Sequence, residues 1–245
     1  VELDGYAAHW ADPDKIDRWS AFFEEQLGLA TWGTVRIDLA EGEVFPAVDA
    51  GGQIAINLMT LIIAVSAIGI VLVPLLIVDE KEAHTMDALL VSPARLSQVI
   101  TGKVIVGFVY CLVAALVAIF FNRHWIVHWD IALLAMLLVT AIVVAIGLLV
   151  GLQVDNPTSA GLWTAPLILF LLLPVLLLFF AGASLPPCVE TLLQWLPGAL
   201  MLKMFQFSVA GEVPAALLWS STAALAGMAA GLYLLAGWRM KRLEQ

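Results

Sequence analysis

One charged stretch, residues 79–93, lies between two apolar segments that are each long enough to cross a bilayer. Carboxylates at Glu80, Glu82 and Asp87 could accept hydrogen bonds from a soluble partner, and apolar side chains recur between them. A connection of this length could have been a bare turn. Its mixture of charged and apolar residues instead suits a surface through which a soluble partner exerts force on a membrane protein.

The same stretch predicts a short amphipathic helix over residues 79–92, parallel to the membrane face. Asp79 is a suitable N-cap, and Glu82 follows three residues later in a capping-box arrangement. Ser92 and Pro93 combine a second cap with a first-position proline, which ends this helix and begins the next. One face of the helix would carry Ala83, Met86, Leu89 and Leu90. A solvated juxtamembrane loop with ordinary caps is the alternative.

The rest of the chain predicts an all-α polytopic membrane protein. Of 245 residues 62% are hydrophobic, and the mean hydropathy is +0.99, more apolar surface than a soluble domain can bury. A crossing helix needs about 20 apolar residues. Five segments meet that length: 50–78, 104–122, 131–154, 159–182 and 213–238. Residues 183–203, which begin near a Pro-Pro break, are too short to cross and predict a re-entrant or interfacial segment.

Short-loop charges predict the orientation in a plasma (inner) membrane. Lys and Arg residues prefer the cytoplasmic side. The loops on one side carry Lys81, Arg95, Lys103, Arg239, Lys241 and Arg242. The short loops on the other side carry only Arg123 and Lys203. We therefore expect a cytoplasmic C-terminus and an exterior head.

The exterior head, residues 1–49, is acidic and predicts a small α/β unit. Residues 1–50 hold three Lys or Arg against eleven Asp or Glu, which disfavours a nucleic-acid partner. Asp12 and Pro13 predict a helix start, Gly28 its end, and residues 34–39 alternate like a strand. One helix and one strand make a marginal core, so we expect the head to pack on further sequence or on a partner.

The sequence from Glu80 to Pro93, with Thr85-Met86-Asp87 at its centre and Gly102-Lys103 after it, resembles the cytoplasmic signature of type-two ABC exporter permeases. In that family the segment is the coupling helix that docks on the ATPase subunit, and His84 here stands where a Gly usually precedes the Thr. The resemblance implies coupling roles for Glu80, Glu82, Thr85, Met86, Asp87, Leu89, Leu90, Ser92 and Pro93. It also implies a second permease subunit. Family members usually have one more span before the head; because this sequence begins in polar residues at Val1, we expect such a span to precede it.

The chain shows no sequence feature of an enzyme. No G-x-x-x-x-G-K-[ST] motif is present, so ATP and Mg²⁺ are expected on the partner ATPase, with no cofactor, catalytic residue or metal site on this chain. The predicted span cores contain no Asp, Glu, Lys, Arg or His, which disfavours a secondary carrier.

Polar and small residues inside the spans have two interpretations. Asn57, Thr60 and Ser66 on the first span and Thr140 on the third could line a substrate path, although such groups more often satisfy one another between helices. The pairs Gly147/Gly151 and Gly227/Gly231 allow close helix approach, and packing within the chain is favoured over a dimer seam.

We therefore hypothesise that this chain is a permease subunit of an ATP-driven exporter and is in contact with membrane lipid. The exporter would move an amphiphilic, drug-like or lipid-like substrate. Sodium export is a less favoured variant of the same hypothesis. A membrane-anchored assembly or sensing protein with a partner-binding head is the alternative.

Overall fold

The computed structural model describes residues 2–8, 13–31, 35–44, 53–82, 96–181 and 186–243. The head contains β1 (Glu2–Ala8), α1 (Pro13–Thr31) and β2 (Arg36–Val44). The two strands pair in parallel, with Glu2 opposite Arg36 and a register shift after Gly5. Parallel strands need a crossover connection, and α1 supplies it.

The head is therefore an α/β unit, as predicted, but with different bounds. The prediction that α1 ends at Gly28 is wrong, because the helix continues to Thr31. The strand predicted over residues 34–39 begins at Arg36 and continues to Val44. β1 was not predicted, since a strand that pairs only with a distant segment has no local partner in the sequence.

Seven helices follow among the described residues. They are α2 (Gln53–Glu82), α3 (Leu96–Phe121), α4 (Trp129–Gln153), α5 (Pro157–Ala181), α6 (Pro187–Gln194), α7 (Pro197–Val209) and α8 (Ala215–Leu243). Five of them, α2, α3, α4, α5 and α8, are long and apolar enough to cross a membrane. The prediction of an all-α polytopic membrane protein with five spans is confirmed for the described part of the chain.

The centre of the bundle is formed by α2 and α4. More than half of each span is buried inside the protein, 56% and 61% respectively, whereas α3, α5 and α8 bury 22% or less. A single span, α3, separates α2 from α4 in the chain, so the two central helices run in the same direction. We call their contact the α2–α4 seam. The two helix backbones approach closely at this seam because Gly69 on α2 faces Val143 and Gly147 on α4.

The helices α6 and α7 occupy the region predicted to be re-entrant or interfacial. Ten of the thirteen residues of α7 are buried. At its start, Gly198 packs against the backbone of Leu171, near the middle of α5. Near its end, the carbonyl oxygen of Ser208 accepts hydrogen bonds from the N–H groups of Val127 and His128, both 2.9 Å long. The chain therefore returns from the end of α5 to its middle and turns back, which supports the re-entrant alternative. The returning helix extends to Val209, beyond residue 203.

Candidate functional site

The charged stretch begins at one end of the bundle, which we call the motif end. It holds the C-terminus of α2, the turn between α4 and α5, and the start of α3. The prediction that Asp79 is an N-cap is wrong, because α2 continues without interruption to Glu82. Buried Ile77 and Val78 hold this last turn against its neighbours, and no Gly or Pro interrupts it.

The predicted coupling residues therefore fall into two groups. Glu80 and Glu82 lie in the last turn of α2. The others lie outside the described residues: Thr85, Met86, Asp87, Leu89, Leu90, Ser92 and Pro93. A separate coupling helix over residues 79–92 cannot begin before Glu82, and its existence beyond that point stays a prediction.

Lys81 connects α2 to the end of α4. Its Nζ donates hydrogen bonds to the carbonyl oxygens of Val154 at 2.9 Å and Leu152 at 3.4 Å. It also lies 3.4 Å from Oδ1 of Asp155. Because α4 ends at Gln153, its last carbonyls lack helical partners, and an ammonium group satisfies them and the helix dipole together.

Lys81 was not among the site residues predicted from the sequence. The sequence signal for this contact is a lysine in the last turn of the first span and Asp155 just after the third span. Spans one and three run in the same direction, so both residues lie at the same end of the bundle. The side chain of Lys81 is 19% exposed and that of Asp155 is 90% exposed. The carbonyl contacts are therefore the stronger part of this connection, since exposed ion pairs contribute little.

The turn that Lys81 contacts is itself well defined. Asn156 caps α5: its Oδ1 accepts a 2.7 Å hydrogen bond from the N–H of Ser159, and Pro157 occupies the first helical position. Only Val154, Asp155 and Asn156 separate α4 from α5. A displacement of Lys81 would thus reach both helices through a short connection.

A second lysine holds the same end of α2. Lys103, on α3 and half-buried, donates a hydrogen bond from Nζ to the carbonyl oxygen of Leu76 on α2. Lys81 and Lys103 together attach the last turns of α2 to α4 and to α3. The last turns of α2 are therefore attached directly to both neighbouring spans.

The residues predicted to line a substrate path do not form one stripe. Thr60 is exposed, and its Oγ1 donates a 2.9 Å hydrogen bond to the carbonyl oxygen of Ile56. Ser66, in contrast, is fully buried. Six residues at 100° each place it about 240° around the helix from Thr60, so the two side chains lie on different faces. Asn57 is half-buried and close to Thr60 in the sequence.

Ser66 and Thr140 each lie three residues before a seam residue, Gly69 and Val143 respectively, which places them on the seam faces of α2 and α4. Both are fully buried, and neither hydroxyl oxygen has a hydrogen-bond partner among the described residues. The prediction that these polar groups satisfy one another is wrong for this pair. Their role in a substrate path stays a prediction.

The two glycine pairs also differ. The preference for packing within the chain is confirmed for Gly147 and Gly151, which contact Gly69, Pro74 and Ile77 of α2. It is wrong for Gly227 and Gly231, where a Cβ would meet no atom of the described residues within 4 Å.

One cation lies deeper than predicted. Lys203 was expected in an exterior loop, but it is a half-buried residue of α7, five residues before Ser208. At 1.5 Å per residue this places it about 7 Å inside the end of the hairpin. In the described part of the chain no group of three His, Cys, Asp or Glu side chains could hold a metal ion, and the expectation of no metal site stays a prediction.

A known family matches most of the membrane region. The family model described as ABC-2 family transporter protein matches residues 43–238, which include the charged stretch, the first four described spans and most of the fifth. No curated protein and no solved structure gives a match. The matched part is far more than half of the chain, so this multi-pass membrane protein belongs to the ABC-2 transporter family and is a permease component of an ABC transporter.

Proposed function

We propose that this chain is the permease subunit of an ATP-driven exporter that moves an amphiphilic, drug-like or lipid-like substrate with energy from a separate ATPase subunit. The observation that carries the proposal is the connection from Lys81 to the carbonyl oxygens at the end of α4. It joins the segment expected to dock on the ATPase to the α4–α5 turn. Closure of the ATPase pair would displace the charged stretch and move the spans through this connection.

The assignment of ATP and Mg²⁺ to a partner rests on the sequence and on one contact. The sequence lacks the phosphate-binding motif, and the Lys of Gly102-Lys103 donates to the carbonyl oxygen of Leu76 within the bundle. That lysine therefore has a structural use, which supports a nucleotide site on another subunit.

The proposed complex places the motif end in the cytoplasm and the head outside. The bias of short-loop Lys and Arg toward the motif end supports this orientation, even with Lys203 inside the bundle. Two permease subunits, identical or different, would meet around the substrate path. Apolar span walls suit an amphiphile better than a bare ion.

A second function, partner binding by an exterior head, is favoured by α1. Three aromatic side chains of this helix, Trp19, Phe22 and Phe23, are 64%, 54% and 51% exposed. Aromatic side chains left uncovered in this way are typical of an interaction surface. This function is compatible with the permease role.

The coupling role predicts a difference between two alanine variants in the assembled complex. Leu89→Ala would remove an apolar anchor, which typically costs about 2 kcal/mol or more at an interface. Asp87→Ala would remove a rim charge worth roughly 1 kcal/mol or less. We expect Leu89→Ala to impair transport and ATPase association more severely, with neither variant unfolding the membrane region.

The measurements are transport, retention of the ATPase on purification, and thermal stability in detergent. Asp87→Ala serves as the control for a change in the same segment. If Leu89→Ala leaves transport and association unchanged in a folded complex, the segment is a solvated loop and the coupling role is wrong.

A further inference from the structure

A cavity of about 700 Å³ lies between α4, α5 and α8, beneath the tip of the α6–α7 hairpin. The residues that define its extent are Ile142, Gln153, Trp163, Leu171, Pro197 and Gly231. Its volume is within the range of small-molecule sites in proteins, about 300–1,000 Å³. None of the residues predicted for the substrate path lines it.

The depth of the cavity matches one leaflet of a bilayer. On α4 it extends from Gln153, the last residue of the helix, to Ile142. Eleven residues at 1.5 Å each give about 16 Å, close to half of a hydrocarbon core of about 30 Å. Pro197 closes the deep end, and the adjacent Gly198 packs on the backbone of Leu171. A crossing helix would have to continue past this closure, whereas an acyl chain would end there.

The mouth of the cavity is polar and basic. Gln153 is exposed at the motif end, and its amide nitrogen donates to the carbonyl oxygen of Leu149 at 3.1 Å. On α8, Arg239 and Arg242 follow the lining residue Leu235 by one and two turns on the same face. Both arginines are exposed, and the guanidinium of Arg242 lies 3.8 Å from the centre of the Trp238 ring.

Neither arginine forms an ion pair with an acidic side chain among the described residues. Of the acidic residues at this end, Asp155 lies against Lys81 on the α4–α5 turn, and Asp79, Glu80 and Glu82 lie in the last turn of α2. A tryptophan beside arginines at a helix end is typical of the headgroup region of a membrane. An apolar cavity one leaflet deep, with arginines at its mouth, complements an anionic amphiphile.

We propose that the cavity binds an anionic phospholipid from the leaflet at the motif end. One acyl chain occupies the space beneath Pro197, and the phosphate faces Arg239. The site does not depend on the ATPase; only the description of this leaflet as cytoplasmic rests on the orientation proposed above.

The test uses the purified protein and measures retained lipid by native mass spectrometry during titration with phosphatidylglycerol or phosphatidylcholine of identical chains. Gly231→Phe fills the cavity, because a Cβ at this lining position meets open space. Gly227→Phe is the matched control: it lies one turn away on α8, is equally open, and does not line the cavity. Arg239→Gln tests the headgroup contact.

We expect the wild type to retain phosphatidylglycerol about fivefold more tightly than phosphatidylcholine, since one basic side chain near a membrane contributes about this factor. Arg239→Gln should abolish the preference. Gly231→Phe should weaken binding of both lipids about tenfold or more, since an excluded acyl chain loses many buried methylene groups. Gly227→Phe should leave both affinities unchanged.

Three results would overturn the proposal, provided that circular dichroism and gel filtration show folded variants. One is equal lipid binding by Gly231→Phe and the wild type. Another is an equal loss in Gly231→Phe and Gly227→Phe, which would indicate lipid around α8 in general. The third is loss of subunit association in Gly231→Phe with retained lipid unchanged, which would assign the cavity to a protein helix.

Discussion

Two pairs of glycines with the same spacing lie in opposite surroundings. Gly147 and Gly151 are part of the α2–α4 seam, where a Cβ at Gly147 would overlap the carbonyl oxygen of Gly69. Gly227 and Gly231 lie on the exposed side of α8, with open space at both positions. The spacing identifies a helix face that permits close approach, whereas the neighbouring helices decide whether that face is filled within the chain.

The difference separates a part of the bundle that holds the fold from a part that is available for contacts with other molecules. In the seam, Gly69 meets Val143, and Gly147 meets Val73, so backbone and branched side chains leave no spare volume. Around Gly231 the structure has a cavity instead. Substitutions in the seam should therefore affect folding, and substitutions on α8 should affect binding.

The largest expected effect comes from Gly147→Ala compared with Gly227→Ala. The added methyl group at Gly147 would collide with backbone, and overpacking of this kind costs about 1–3 kcal/mol or more. At Gly227 the same methyl group enters open space and gains up to about 1 kcal/mol of helix propensity. Thermal unfolding of both variants in one detergent measures the difference, and equal transition temperatures would contradict the comparison.

A smaller effect is expected where Lys81 closes the motif end of the seam. Lys81→Met keeps the aliphatic part of the side chain and removes the donor to Leu152 and Val154. Loss of charge-assisted hydrogen bonds should cost about 1.5 kcal/mol. Asp155→Asn, the control, should cost about 0.5 kcal/mol or less because that carboxylate is 90% exposed. In the complex, Lys81→Met should also lower transport per ATP hydrolysed.

Denaturant unfolding of the isolated chain and coupled assays of the complex check these expectations. A larger loss in Asp155→Asn than in Lys81→Met would show that the ion pair, and not the carbonyl contacts, holds the two helices together.

The smallest effect is expected inside the seam, at Ser66 and Thr140. Their hydroxyl groups are buried without a described partner, so Ser66→Ala and Thr140→Val should be neutral or stabilising by less than about 1 kcal/mol. Thermal unfolding of the two single variants and of the double variant measures this. A clear destabilisation would reveal a partner such as a buried water, and a loss of transport at unchanged stability would favour the substrate path.

The sequence predicted the spans well because crossing a bilayer requires a length of apolar residues that few other structures need. It predicted the motif end less well, since the capping pattern of Asp79 competes with continuation of α2, and the contacts of Ile77, Val78 and Lys81 decide the outcome. These contacts come from α4, more than 60 residues away along the chain.

Two other features depended on tertiary structure for the same reason. The buried helix α7 is shorter than a span, so its length suggested a re-entrant or interfacial segment, and its packing on Leu171 is visible only in the fold. Ser66 was grouped with Thr60 by polarity, although six residues place the two side chains about 120° apart around the helix.

We propose that this permease obtains its energy from a separate ATPase bound at the motif end. Purification of the tagged protein from its own membranes, followed by ATP hydrolysis assays before and after the partner subunits are removed, tests this proposal. We expect an ATPase to copurify, hydrolysis to leave with it, and the isolated chain to neither bind nor hydrolyse ATP. Robust hydrolysis by the isolated chain, or the absence of any ATPase from an intact preparation, would contradict the claim.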